Sequence, residues 1–211
     1  VFDESGVGGA EIAVNTETIG NQVQSHVTAR SDGGFVVGWV DAAAPQQVYV
    51  QSYAANSMAQ GANRIVSVDD VLTVNNSTNV EFAELTNGSL VAVWDAWNGS
   101  RNIFGRTFSA IDAELPQKTV DFTSVITQLN ATTSGDQINP SITALPGKQF
   151  AMIWSDRAGN DGDRGGIFGG IYDETLTLVS SEFVVNTLTS DWQSKSNVAS
   201  APNGHFMAIW H

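Results

Sequence analysis

The chain has 211 residues, 42% of them apolar and 15% charged, and carries a formal charge of −13 from nine Lys and Arg against 22 Asp and Glu. A chain of that apolar content folds around a core, and its negative charge repels nucleic-acid backbones and anionic lipid surfaces. The absence of cysteine excludes disulfides and thiolate metal sites, and no apolar run approaches the ~20 residues of a membrane helix, so neither nucleic acid binding nor membrane insertion is expected.

The chain opens at Val1 without a signal peptide, which reads as a mature or excised piece of a bacterial exported protein. Its first strand is expected at "EIAVNT" (11–16), followed by the connector "VNTETIGNQ" (14–22). Next comes a hairpin, "HVTAR" and "GGFVVGW", joined by "SDGG". The second of these strands is unusual: Phe35, Val37 and Trp39 fill one face while Val36 and Gly38 leave nothing polar on the other. The pattern recurs as "GSLVAVW" (88–94), "KQFAMIW" (148–154) and "GHFMAIW" (204–210), so Trp39, Trp94, Trp154 and Trp210 are separated by 55, 60 and 56 residues. Eight residues before each of these strands opens stands Val27, Phe82, Ile142 or Val198, and the turns "SDGG", "TNGS", "LPGK" and "PNGH" supply the Gly and Asn that hairpins need.

Third strands follow at "VYVQSYA" (48–54), "IFGRTFS" (103–109) and "IFGGIYD" (167–173), with aromatics every fourth residue. Fourth strands are expected at "NRIVSV" (63–68), "KTVDFT" (118–123) and "EFVVNT" (182–187). Each unit is thus a four-stranded antiparallel meander. In a sandwich one face of each sheet meets water, whereas in a propeller neighbouring blades cover both, as the "FVVGW" strands require. The expected fold is therefore an all-β, four-bladed β-propeller forming one domain, with repeats at about 15–69, 70–129, 130–185 and 186–211, the last completed by 1–14 so that the two termini close the ring in one blade. That blade lacks most of its third strand. Its open edge points to residues of a longer parent chain, a shortened closing blade, or self-association by strand donation.

The elements "VNT", "GDQ", "GGFxxxW" and "GIxGxxYD", most complete in residues 129–187, resemble the tandem repeat of large exported bacterial proteins of the RTX and adhesin-like type. The resemblance implies a secreted or cell-surface setting and little about chemistry.

Propeller topology puts the loops 40–47, 95–102 and 155–166, with the crossovers between blades, on one face, which is the expected functional face. In "DRAGNDGDRGG", Asp156, Asn160, Asp161 and Asp163 can converge on Ca²⁺ or simply turn a solvated loop. Trp97 and Trp192 have no counterpart in the sister copies and, beside Asp191, offer stacking surfaces for a sugar ring or plugs between blades, while the repeated Trp residues belong to the blade core. Gln22, Gln137 and Gln193, with Ser77 in the fourth place, can ring the channel mouth or satisfy backbone groups at strand ends. Asn76, Asn87, Asn98 and Asn130 begin Asn-x-Ser/Thr triplets, a frequent chance pattern in so Asn-rich a chain. No Ser or Thr is paired with a His in a catalytic pattern, and no His cluster has metal spacing. The expectation is a non-enzymatic, lectin-like module binding a carbohydrate or surface ligand, Ca²⁺-assisted through the Asp loop. The alternatives are a structural or adhesive repeat and a polysaccharide hydrolase or lyase using the surplus carboxylates.

Overall fold

The computed structural model describes all residues except 3, 17, 69–74 and 110–123. Strands β1 (Gln22–Ala29), β2 (Phe35–Asp41), β3 (Gln47–Tyr53) and β4 (Ala59–Ile65) form a first antiparallel sheet in sequence order. A second contains β5 (Asn75–Glu84), β6 (Leu90–Trp97), β7 (Arg101–Phe108) and β8 (Thr127–Gln128), and a third β9 (Gln137–Leu145), β10 (Gln149–Asp156), β11 (Ile167–Asp173) and β12 (Phe183–Val184). The fourth sheet is the hairpin of β13 (Asn197–Ser200) and β14 (Phe206–Ile209). First strands of successive sheets face one another, β1 against β5, β5 against β9 and β9 against β13, so the arrangement is propeller-like.

The expected hairpins form, each with a left-handed glycine (Gly33, Gly88, Gly147, Gly204) in its turn. Cross-strand aromatic pairs then bind second to third strands: Phe35 stacks on Tyr53 at 4.8 Å, Trp39 on Tyr49 at 5.8 Å and Phe150 on Tyr172 at 5.3 Å. Burial of both faces is clearest in β6 and β10, where every residue but Trp97 and Gln149 is buried. Neighbouring sheets interlock at one repeat position. Gly38 of β2 leaves room for the Phe82 ring, 2.0 Å from where a Cβ would stand, while Val93 of β6 shares a core with Ile142, and Ile153 of β10 shares one with Val198.

The third strands start against a polar cap. The backbone N–H of Val48, Ile103 and Ile167 donates to Ser67 Oγ at 2.9 Å, Asn130 Oδ1 at 2.7 Å and Asn186 Oδ1 at 2.7 Å. This explains the Asn of the "VNT" and "LNA" connectors: it ends the fourth strand by accepting an otherwise orphan donor.

Three expectations need correction. Residues 11–16 are not a strand and do not pair with β14. They lie against the first sheet, where Thr16 N donates to Asn63 Oδ1 at 2.6 Å, as Ala131 N does to Glu182 Oε1 at 2.6 Å on the third sheet. No closed ring forms among the described residues: the fourth sheet has two strands, and β14 has β13 as its strand partner. Consequently Trp210, unlike Trp39, Trp94 and Trp154, is 39% exposed rather than core. The fourth strand in the first sheet begins earlier than "NRIVSV", and "KTVDFT" (118–123) lies outside the described residues.

Because the Phe82 ring occupies the space above Gly38, Gly38→Val is expected to lower unfolding free energy by about 1–3 kcal/mol through overpacking. In urea denaturation the double variant Gly38→Val/Phe82→Ala should lose less than the sum of the single changes; strict additivity would disprove the interlock.

Candidate active site

The four first strands and the residue run leading into β13 border one pocket of about 390 Å³. Its walls repeat with the sheets. Gln24, Asn79, Asn139 and Lys195 occupy one repeat position, and His26, Glu81 and Asn197 another, two residues on. The first of these positions has left-handed backbone in all four copies, with φ of 54°, 54°, 53° and 51°, and strand register slips beside it in β1 and β5. A bulge re-aims side chains and breaks alternation, which is how polar residues come to line the middle of an otherwise apolar assembly.

The amides are tied from sheet to sheet. Gln24 Nε2 donates to Asn79 Oδ1 at 2.9 Å and Asn79 N to Gln24 Oε1 at 2.9 Å. Asp95, fully buried behind them, accepts from Asn79 Nδ2 at 2.7 Å, Thr78 Oγ1 at 2.8 Å, Asn139 N at 3.1 Å and Arg101 Nε at 2.7 Å, with Arg101 Nη2 at 2.5 Å completing the ion pair. Every lone pair of that carboxylate is engaged, so Asp95 is a fastener between the second and third sheets.

Glu81 is the carboxylate on the pocket wall. Burial pushes its carboxyl above the ordinary value, and hydrogen bonds from Ile142 N, at 3.2 Å to Oε2, and from Ser141 oppose the shift without cancelling it. His26, stacked on Phe82 at 6.2 Å, moves the other way: burial lowers its imidazole, and Nδ1 is buried without a hydrogen-bond partner. A carboxyl of raised proton affinity thus shares a pocket with an imidazole of lowered proton affinity.

The residues singled out in the sequence lie elsewhere. Gln22, Gln137 and Gln193 donate to the carbonyl three residues back, Ile19 at 3.5 Å, Ser134 at 3.2 Å and Ser190 at 2.8 Å, and so brace the crossovers. Gln137 is buried and also accepts from Trp154 Nε1 at 2.8 Å; Gln22 lines a separate hollow of about 310 Å³ beside Val37 and Trp39. Asp156 is buried and accepts from Gln137 Nε2, Ala158 N and Asn160 Nδ2; Asp161 accepts from Asn186 Nδ2 at 2.8 Å, and Asp163 from Asp191 N at 2.8 Å. Asp191 also pairs with Arg164 at 3.1 Å. Among the described residues, no three carboxylate or imidazole side chains are grouped to hold a metal ion. Trp97 and Trp192 are 46% and 53% exposed, outside the pocket, with Trp192 bridged to Gly165. The pocket residues are not among those expected, although the sequence carries a signal for them: polar side chains recur three residues and one residue before Val27, Phe82, Ile142 and Val198.

No family model and no curated protein matches the chain. Solved structures do. An endo-arabinase from Bacteroides thetaiotaomicron shares 14% identity at a TM-score of 0.56, over 95% of this chain and 74% of its own. An α-L-arabinanase of Penicillium chrysogenum, complexed with arabinobiose, shares 7% at 0.56 over 88% and 58%. An endo-1,4-β-xylanase from Bacteroides thetaiotaomicron shares 12% at 0.53 over 90% and 65%. These likenesses show the fold. The expectation of a non-enzymatic binding module is corrected accordingly, since these three solved proteins carry the names of polysaccharide-cleaving enzymes.

The environment of Glu81 has a thermodynamic consequence. The folded state holds its proton more tightly than the unfolded chain, so stability falls as pH rises from the ordinary value of 4.5 through the raised one. Relative to wild type, Glu81→Gln is therefore expected to be more stable at pH 7 and to lose that advantage near pH 4. A difference in melting temperature that is flat with pH would contradict the assignment.

Proposed function

We propose that the chain is the propeller portion of a glycoside hydrolase acting on a polysaccharide, its sheets serving as blades around the pocket and the pocket as the place of bond cleavage. The observation that carries this reading is Glu81: a pocket carboxyl whose burial raises its proton affinity, in a fold whose solved neighbours are named as arabinanases and a xylanase. The chain spans between 58% and 74% of those three proteins, so the reaction is assigned to this portion through its own residues.

Glu81 gives its proton to the glycosidic oxygen as the bond from that oxygen to the anomeric carbon breaks. A water adds to the anomeric carbon, and its proton passes to the neutral His26 imidazole; solvent then returns one proton to Glu81 and removes one from His26. The two groups suit these roles because desolvation shifts them in opposite directions, raising the proton affinity of the acid and lowering that of the base. The Asn139 amide and the remaining N–H of Gln24 Nε2 are available to sugar hydroxyls. Trp97 and Trp192, exposed outside the pocket, give apolar surfaces on which the rings of a long chain can stack. A polymer of this kind is met outside the cell, the setting that the resemblance to exported repeat proteins implies.

Incubation with soluble arabinan, xylan and pectic polysaccharides should release reducing ends from at least one of them. Glu81→Gln is expected to lower kcat by about 10²–10⁴-fold with KM little changed, and His26→Gln should remove the acidic limb of the pH–rate profile. Full activity in folded Glu81→Gln, or no release from any polymer, would overturn the proposal.

A further inference from the structure

We infer that Lys195 makes the pocket selective for a sugar bearing a carboxylate, so that the substrate is a uronate-containing polysaccharide; this rests on the hydrolase reading for its reaction but not for its binding. Lys195 fills the left-handed position that holds Gln or Asn in the three other sheets, with φ of 51°. Asn tolerates that backbone readily and Lys does not, so local conformation gives no reason for a lysine there.

Nor does local pairing. Arg30, Arg101, Lys148 and Arg164 each face a carboxylate within hydrogen-bonding distance, and buried Arg106 donates to the Val66 and Val68 carbonyls. Lys195 makes no ion pair or hydrogen bond among the described residues, stays exposed, and lines the pocket beside Asn139.

The surroundings turn an unpaired ammonium into a recognition element. Asp95, the carboxylate behind the amides, is paired with Arg101, and burial holds Glu81 towards its uncharged form and His26 towards its neutral form. In a chain of formal charge −13, the Lys195 ammonium is therefore an unpaired cation on the wall of this pocket. A single cation flanked by amide donors fits one carboxylate attached to a hydroxyl-rich ring: the ammonium takes the charge, and Asn139 with the remaining N–H of Gln24 Nε2 meets hydroxyls. A polyanionic phosphate would call for several cations, and among the described pocket residues only Lys195 supplies one.

The test is calorimetric binding of tri-galacturonate and of neutral arabinotriose to the Glu81→Gln protein, which holds either without turnover. Tri-galacturonate is expected to bind at least tenfold more tightly in low salt, the margin shrinking as salt rises. Lys195→Ala and Lys195→Gln, both conservative at an exposed position, should remove that margin and leave arabinotriose binding and melting temperature unchanged. Equal affinities, or a margin that survives both lysine variants, would overturn the inference. Acidic-sugar binding that depends on Lys195 in a wild-type protein that cleaves no polymer would uphold it while refuting the hydrolase reading. Cleavage of arabinan indifferent to Lys195 would do the reverse.

Discussion

Everything in this structure depends on covering both faces of the second strand in each sheet. β6 and β10 present apolar side chains in both directions, and only a sheet on either side can remove them from water. The solution is a stack in which each sheet contributes one side chain to a gap in its predecessor: Phe82 over Gly38, Ile142 beside Val93, Val198 beside Ile153. A bulky residue meets a bare glycine at the first interface and medium-sized residues meet at the others, so total volume is kept while its distribution changes. The next members of the same series are Ile209 and Val27, each 62% exposed.

Packing the sheets this way brings their first strands together, and the pocket is a consequence. Side chains of those strands that do not enter an interface have nowhere to point but inward, and bulges at the left-handed position turn them there. Asp95 then stabilises the junction by binding Asn79 and the Asn139 backbone at once. A buried carboxylate is tolerable only with such complete hydrogen bonding and a cation, and Arg101 supplies the cation. The sister sheets have Val40 and Ser155 at this position, so this fastener belongs to one junction alone.

Much of the architecture is legible in the sequence because it follows from local rules that repeat. The Gly and Asn of the turns, the two-sided apolar strands and the recurring Trp each give the same answer in successive copies. Where neighbours are absent the inference fails, as with residues 11–16, which lack a strand partner, and Trp210, which lacks a covering sheet. The pocket was harder to see. Asp, Asn and Gln are conspicuous in the loops, but a long loop built of these residues satisfies its own backbone: Gln137 and Asp156 are buried bracing groups. The informative residues sat within strands, where one polar residue among apolar ones looks like ordinary alternation. His26 and Glu81 acquire opposite proton affinities only once the sheets are stacked, a property no linear pattern carries.

That opposition is the center of the functional account, and it can be measured without a substrate. NMR titration of a ¹³C-labelled Glu81 carboxyl and of the His26 ring reads each proton affinity directly in the folded protein. The account predicts a Glu81 midpoint above the ordinary 4.5 and a His26 midpoint below the ordinary 6.5, with Glu81→Gln and His26→Gln variants removing their own signals. Midpoints at or on the far side of those ordinary values would leave the pocket with no acid and base suited to glycosidic cleavage.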